Sequence, residues 1–391
     1  MRTATATGEV VATWRQVTAR ARRLAAVLDR LEVPRGGRVG TFAWNSQRHV
    51  ELYLAVPVSG RVLHTVNHRL FAEEISYIVN DAADDVLFVD RSLLATVWPL
   101  VDGFPTVRRV VVMDDGDPRE IPDDSRTLDY EELLSGVPES AALVLNDENE
   151  ENDENEAASL CYTSGTTGRP KGVLYSHRSI VLHALMLLGA DNLAISERDV
   201  VMPIVPMFHV NAWGLPYAAM LAGSDLVLPG PAMAPEALIG QLERHRVTFS
   251  SGVATIWRSL APLLAAADLS HLRTVASGGG AVPDALSALW ERDAGIVLTN
   301  GWGMTETSPV HEAAVIAVPD DRWGERPLAC VVPVRGRTVD ERGLRAHLTG
   351  RVASWWIPER VWVIDEIPKT STGKFAKAVL RERAVARETA G

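Results

Sequence analysis

The sequence predicts an α/β protein: a large N-terminal domain of layered parallel sheets and helices, with a small α+β domain behind it. Two observations carry this. Short apolar runs at residues 38–42, 62–66, 86–90 and 108–113 alternate with helix-length segments such as 46–59 and 73–80, and strands alternating with helices pair in parallel. The alternation returns with apolar runs at 200–205, 225–228, 272–276 and 296–299. From residue 311 it gives way to a compact set comprising strands 313–318 and 328–334, a helix 339–352, a strand 361–364 and a basic terminal helix. The expected division is 1–309 and 310–391, and 391 residues with 47% apolar content suffice for one large core and one small one.

The first helix, 13–31, opens on a capping box formed by Thr13 and Gln16 and keeps Val17, Leu24, Leu28 and Leu31 on one face. Further on, 157–161 reads as a short buried strand and 176–188 has helical spacing. The run between them, YTSGTTGRPKG at 162–172, is therefore a loop at a strand's carboxyl end. Its composition suits an anion. Thr163, Ser164, Thr166 and Thr167 bring hydroxyl donors, Gly165, Gly168 and Gly172 let main-chain N–H groups approach closely, and Lys171 adds a mobile charge. It is not a Walker A loop, because Pro170 stands where the second glycine would be. From composition alone a flexible Ser/Thr/Gly linker also fits.

The formal net charge is −11, but NDENEENDENE at 146–156 contributes seven acids and no base. With no apolar residue it is expected to be a solvated loop. No basic stripe points to nucleic acid. The two cysteines, Cys161 and Cys330, cannot build a disulfide framework and are expected as reduced core residues. No apolar run approaches the roughly 20 residues that span a bilayer, so a cytoplasmic protein without a transmembrane segment is expected.

The run YTSGTTGRPKG resembles the signature loop of the adenylate-forming, AMP-binding superfamily. Three further segments match that family in order: SGGGAVP at 277–283, NGWGMTE at 300–306 and PKTSTGK at 368–374. PMFHVNAWG at 206–214 is similar to the fatty-acyl-CoA synthetase branch. The fold implied is that of acyl-CoA synthetases, with a shortened C-terminal lid domain. The implied reaction joins a fatty acid to CoA at the expense of ATP through an acyl-adenylate, with ATP, Mg2+ and CoA as cofactor or co-substrates.

By the same resemblance, Thr163, Ser164, Gly165, Thr166, Thr167, Gly168 and Lys171 would wrap the β- and γ-phosphates. Gly279, Gly280 and Ala281 would lie against the adenine with Trp302, in a nucleotide site completed by Asn300, Gly301, Gly303 and Thr305, the last near the α-phosphate. Glu306 would help hold magnesium; out of that context it reads as a solvated loop acid, and Trp302 as one of eleven tryptophans with a place in a core. His209, Val210 and Trp213 would line the acyl side. Amino-acid-activating relatives place an aspartate after the phenylalanine of this segment, and here Phe208 is followed by His209, which argues for a carboxylic acid without an ammonium group. Lys374 would be the catalytic lysine.

After GWGMTETSPV the chain passes within a residue or two to HEAAVIAVPDDRWGE, which the family places well into its small domain. The Thr-Gly-Asp that supplies the ribose aspartate, the hinge and the Gly-Gly-Glu loop do not occur. Loss of the ribose carboxylate is worth ~1.5–3 kcal/mol of nucleotide binding. Strands missing after Pro309 would leave sheet edges or an apolar seam that a second subunit could cover, so a homodimer is within the expectation. A relative that binds nucleotide or acyl ligand without turning over is the alternative.

Overall fold

In the computed structural model the residues described are 1–138, 153–163, 169–280, 282–301, 303, 305, 314–320, 324–332, 342, 345, 357–358, 360–364, 368, 379–380, 382–384 and 387. The chain forms two compact units. One comprises Met1–Ser277, Asp284–Thr299 and Met304–Pro309; the other comprises Gly278–Pro283, Asn300–Gly303 and Val310–Gly391.

Two seven-stranded sheets dominate the first unit. One runs in the order Leu298–Asn300, Thr274–Gly278, Phe249–Val253, Val200–Pro203, Asp225–Leu228, Arg2–Thr5, Gly8–Val11. In it Val200–Pro203 pairs in parallel with both Asp225–Leu228 and Phe249–Val253, and Gly8–Val11 closes one edge antiparallel to Arg2–Thr5. The other sheet runs Thr127–Asp129, Arg109–Met113, Asp84–Asp90, Arg38–Phe42, Val62–Thr65, Ala157–Thr163, Lys171–Ser176. Its pairings are parallel up to Ala157–Thr163, which then meets Lys171–Ser176 antiparallel.

Strand chemistry explains the layering. In Arg109–Met113 the residues from Val110 to Met113 are all fully buried, as expected of a parallel strand covered on both faces. One face of that sheet packs Phe42, Leu87, Val89, Val110 and Val112 against Ile75, Ile78 and Val97. The other shares a cluster with the first sheet, in which Val86, Phe88 and Val111 join Val201, Leu226 and Phe249. Between them lies the helix Trp14–Arg30, whose buried Val17, Ala21, Leu24 and Leu28 recur at helical spacing. Its capping box is formed as the sequence indicates, Gln16 N–H donating to Thr13 Oγ1 at 3.2 Å and Thr13 N–H to Gln16 Oε1 at 2.8 Å.

In the second unit Ala314–Asp320 and Gly324–Val331 form an antiparallel pair, and Arg360–Val363 adds in parallel. Leu328, Cys330, Leu380 and Ala384 make a small core with Trp362 and Ile364. Cys161 and Cys330 are both free and buried. Among the described residues no helix is long and apolar enough to cross a membrane.

Several strands differ from the sequence reading. Residues 171–176, of which the sequence reading gives 171–172 to the loop and 173–175 to no element, form a strand that pairs antiparallel with Ala157–Thr163 as a β-hairpin closing at Thr163 and Lys171. The N-terminal hairpin Arg2–Thr5/Gly8–Val11 and the strand Phe249–Val253 also carry no expectation from the sequence. The helix 177–188 is present, capped by Ser176 accepting from Ser179 N–H. It buries His183, Ala184 and Leu187 and turns Val181, Leu182, Leu185 and Met186 to solvent.

Candidate active site

Each of the first four sequence motifs begins at the carboxyl end of a strand. The signature loop follows Ala157–Thr163, the segment 206–214 follows Val200–Pro203, Gly279 and Gly280 follow Thr274–Gly278, and Gly301 follows Leu298–Asn300. Loops at that end of an open α/β sheet are where such folds bind ligands.

The hairpin Ala157–Thr163/Lys171–Ser176 organises the described site of the first unit. At its neck Thr163 is half-buried and its hydroxyl faces the Lys171 carbonyl at 3.4 Å, while Lys171 is exposed at the strand start. Tyr162 turns its hydroxyl to Asp81 Oδ2 at 2.7 Å. Tyr175, buried on the returning strand, donates its hydroxyl to the Thr305 carbonyl at 2.5 Å. Val210 and Trp213 pack against the same hairpin, in a cluster with Cys161, Tyr175 and Val173. Thus Thr163, Lys171, Val210, Trp213 and Thr305 gather around one hairpin, with His209 exposed at the start of the adjoining turn.

That turn is unusual. Val210, Asn211, Ala212 and Trp213 have φ of 48°, 50°, 51° and 55°, and Gly214 follows at 72°. Five consecutive residues in the left-handed region form a left-handed turn, at a cost of roughly 1–2 kcal/mol for each ordinary L-residue. Main-chain bonds from Ala212 N–H to His209 O and from Gly214 N–H to Asn211 O, both 3.0 Å, close it. Gly214 has no alternative here, since a Cβ would sit 2.5 Å from His183 Nδ1. Upstream, Asn45 clamps the segment by donating to the Pro203 and Val205 carbonyls at 2.9 Å each and accepting from Met207 N–H at 2.8 Å. The Tyr53 hydroxyl donates to the Met207 carbonyl. Phe208 is buried against His68, which also meets Trp44 edge-on; burial pushes the His68 imidazole down to about 3, with Arg69 adding to the effect.

In the second unit Gly279 takes φ 77° and is exposed, as are Asn300, Gly301 and Gly303. Pro283 stands immediately before the helix Asp284–Ala294. Ser164, Gly165, Thr166, Thr167, Gly168, Ala281, Trp302, Glu306 and Lys374 lie outside the described residues, as does most of the acidic run 146–156. Among the described residues no group of three or more His, Cys, Asp or Glu side chains could hold a metal ion. A cavity of about 430 Å³ opens beside the hairpin, lined by Ala157, Leu174, Tyr175, Ser176 and Ser179 among others. None of the candidate residues lines it.

Sequence reasoning missed Tyr175, Asn45 and the amide of Asn211. Only the last had a visible signal, an asparagine amid non-glycine residues in a segment already singled out.

Residues 2–346 match the AMP-binding enzyme family, and the chain belongs to it. It is 35% identical over 515 positions to a long-chain-fatty-acid CoA ligase from Thermus thermophilus, covering 96% of this chain and 91% of the relative. It is 33% identical over 501 positions to a 3-methylmercaptopropionyl-CoA ligase from Ruegeria pomeroyi, covering 95% and 91%. A medium-chain-fatty-acid CoA ligase from Ectopseudomonas oleovorans is 37% identical over 370 positions, covering 92% and 67%. Among solved structures, the anthranilate CoA ligase AuaEII in complex with anthranoyl-AMP superposes with a TM-score of 0.66 at 21% identity, covering 99% of this chain and 94% of that one. ATP-bound MatB from Rhodopseudomonas palustris gives 0.64 at 21%, covering 97% and 95%. The architecture of two α/β sheet layers is therefore that of the adenylate-forming CoA ligases.

Proposed function

We propose that this protein is an AMP-forming acyl-CoA synthetase whose acid is a medium- or long-chain fatty acid. The observation that carries the reading is the hairpin, which holds the rim of the phosphate-type loop, the Thr305 main chain and the turn bearing Val210 and Trp213 in one place. In the first half-reaction a carboxylate oxygen attacks the α-phosphorus of ATP, the bond to the β-phosphate oxygen breaks, and acyl-AMP and diphosphate form. In the second the CoA sulfur attacks the acyl carbon, and AMP leaves as the thioester forms. Little covalent chemistry falls to the protein, so positioning and charge stabilisation dominate.

In this reading Thr163 to Gly168 and Lys171 hold the β- and γ-phosphates, and Gly279 to Ala281, Asn300 to Gly303 and Thr305 hold the nucleoside side and α-phosphate. Val210 and Trp213 offer apolar surface for an alkyl chain, with His209 at the entry to their turn. Lys374 supplies the charge that joins carboxylate and α-phosphate. Magnesium, bound with the nucleotide, would neutralise phosphate charge, and Glu306 is the carboxylate proposed to hold it. The division into an adenylation domain at 1–309 and a lid at 310–391 belongs to the same proposal.

A second reading has support of its own. The Ruegeria alignment is 501 positions long against a chain of 391 residues, so the relative has residues at 110 or more positions where this chain has none. Together with the absent Thr-Gly-Asp and hinge patterns, this favours impaired thioester formation, or a ligand-binding relative without turnover. The test is pyrophosphate release with ATP, magnesium and a fatty-acid panel, with and without CoA, beside Lys374→Ala. Acid-dependent release abolished by the substitution supports adenylation, and acyl-CoA formed with CoA supports the complete reaction. Release no greater than that of Lys374→Ala, from folded protein, overturns the synthetase reading.

A further inference from the structure

We infer that Asn211 is a positioning residue that fixes the acyl-side turn to the strand leading into the phosphate loop, and so sets the distance between the acid and ATP. The inference rests on the synthetase reading above and deepens it.

Asn211 is 4% exposed and its Oδ1 faces two donors on the strand Ala157–Thr163. The Ser159 hydroxyl lies 3.1 Å away and the Cys161 thiol 3.4 Å away. Ser159 and Cys161 are themselves buried, two residues apart on one face of that strand, and the strand's last residue is Thr163 at the hairpin neck. Thr65 extends the network, with its hydroxyl 3.3 Å from Cys161 Sγ and 3.4 Å from the Phe208 carbonyl. Burial pushes the Cys161 thiol up, which keeps it protonated and a donor. The amide thus spans from the centre of the turn holding His209, Val210 and Trp213 to the base of the loop proposed to hold phosphate.

The backbone makes the same point. Among the left-handed residues before Gly214, only asparagine takes φ near 50° readily, so Asn211 both fits the turn and anchors it. Val210, Ala212 and Trp213 have no local reason to stay there. A turn under strain relaxes when its tether is cut, and a shift of about 1 Å between reacting groups costs on the order of 100-fold in rate.

The experiment measures acid-dependent pyrophosphate release by the full chain, with Asn211→Gly, Ser159→Ala and the double variant. Glycine keeps the left-handed backbone and removes the amide; Ser159→Ala removes a donor from the other end and tests the contact should the glycine variant fold poorly. The expected result is a loss of kcat/KM for the fatty acid of about 10- to 100-fold in Asn211→Gly, with KM for ATP changed less than about threefold. The double variant is expected to be little worse than Asn211→Gly alone, because both changes cut one linkage. A rise in KM for ATP as large as the loss in kcat/KM for the acid, or losses that multiply in the double variant, overturns the inference while leaving the synthetase reading intact. No release by the unsubstituted protein overturns that reading, and this inference with it.

Discussion

The Tyr175 hydroxyl donates to the Thr305 carbonyl at 2.5 Å, joining the returning strand of the signature hairpin to a motif 130 positions later in the chain. Both residues are buried, so water cannot replace the bond if it is lost. Tyr175→Phe is expected to raise KM for ATP about 5- to 30-fold, the equivalent of roughly 1–2 kcal/mol for an orphaned buried carbonyl, and to leave KM for the acid nearly unchanged. Pyrophosphate-release kinetics with each substrate varied in turn check this.

Stability should respond to pH through three buried groups of opposite sense. Burial, reinforced by Asp115, pushes the Asp90 carboxyl up to about 8. An unfolded aspartate ionises near 4, so between roughly pH 4 and 8 the folded state keeps a proton the unfolded chain has lost, and stability falls as pH rises. Burial pushes His49 down to about 4 and His68 to about 3. Unfolded histidine binds a proton below roughly pH 6.5 while these do not, so they remove stability as pH falls from there. Urea midpoints are therefore expected to peak near pH 6.5. Asp90→Asn, which can still accept the Trp44 N–H, should flatten the fall from pH 6.5 to 8 and steepen the acid limb between about pH 4 and 6.5, where Asp90 opposes the two histidines.

Gly214→Ala should lose about 2–4 kcal/mol, since the new methyl meets His183 Nδ1 in a backbone conformation that alanine resists. A second change, His183→Ala, removes the clash but not the backbone cost, so it is expected to restore part of the loss. Denaturant titration of the single and double variants measures the share.

The helix 177–188 leaves Leu182 and Leu185 about half exposed, at 48% and 49%, while Leu187 on its other face is 6% exposed. Changing both Leu182 and Leu185 to Glu should shift stability by no more than roughly 0.5 kcal/mol per site and lower the fluorescence of the apolar dye ANS. Leu187→Glu should instead unfold the protein or raise dye binding. Equal behaviour of the two faces would contradict the burial described.

Much of the architecture can be read from the chain because its elements announce themselves locally. Thr13 and Gln16 form a complete capping box, and Val110 to Met113 is an uninterrupted buried run. Lys171–Ser176 was hidden because an edge strand need not alternate cleanly: Leu174 is exposed at 61% and Tyr175 buried, and the helix begins at the next residue but one. Phe249–Val253 was hidden for a different reason. Its buried small residues look like a turn, but Ser250 donates to the Met202 carbonyl and Gly252 makes room for Trp257, to which a Cβ would come within 2.8 Å. At the site, the motifs indicated residue types, whereas the Tyr175 and Asn211 contacts depend on strands brought together from distant sequence, and no local pattern encodes them.

The left-handed turn leaves this protein with an unclaimed reserve. Ala212 is fully buried at φ 51°, where glycine would rest at lower energy, so Ala212→Gly is a change that should make the fold harder to unfold. It should also loosen the turn that carries Val210 and Trp213, the surface proposed for the acyl chain, trading catalytic precision for robustness. Selection for heat tolerance alone would be drawn to this position, and selection for turnover would refuse it.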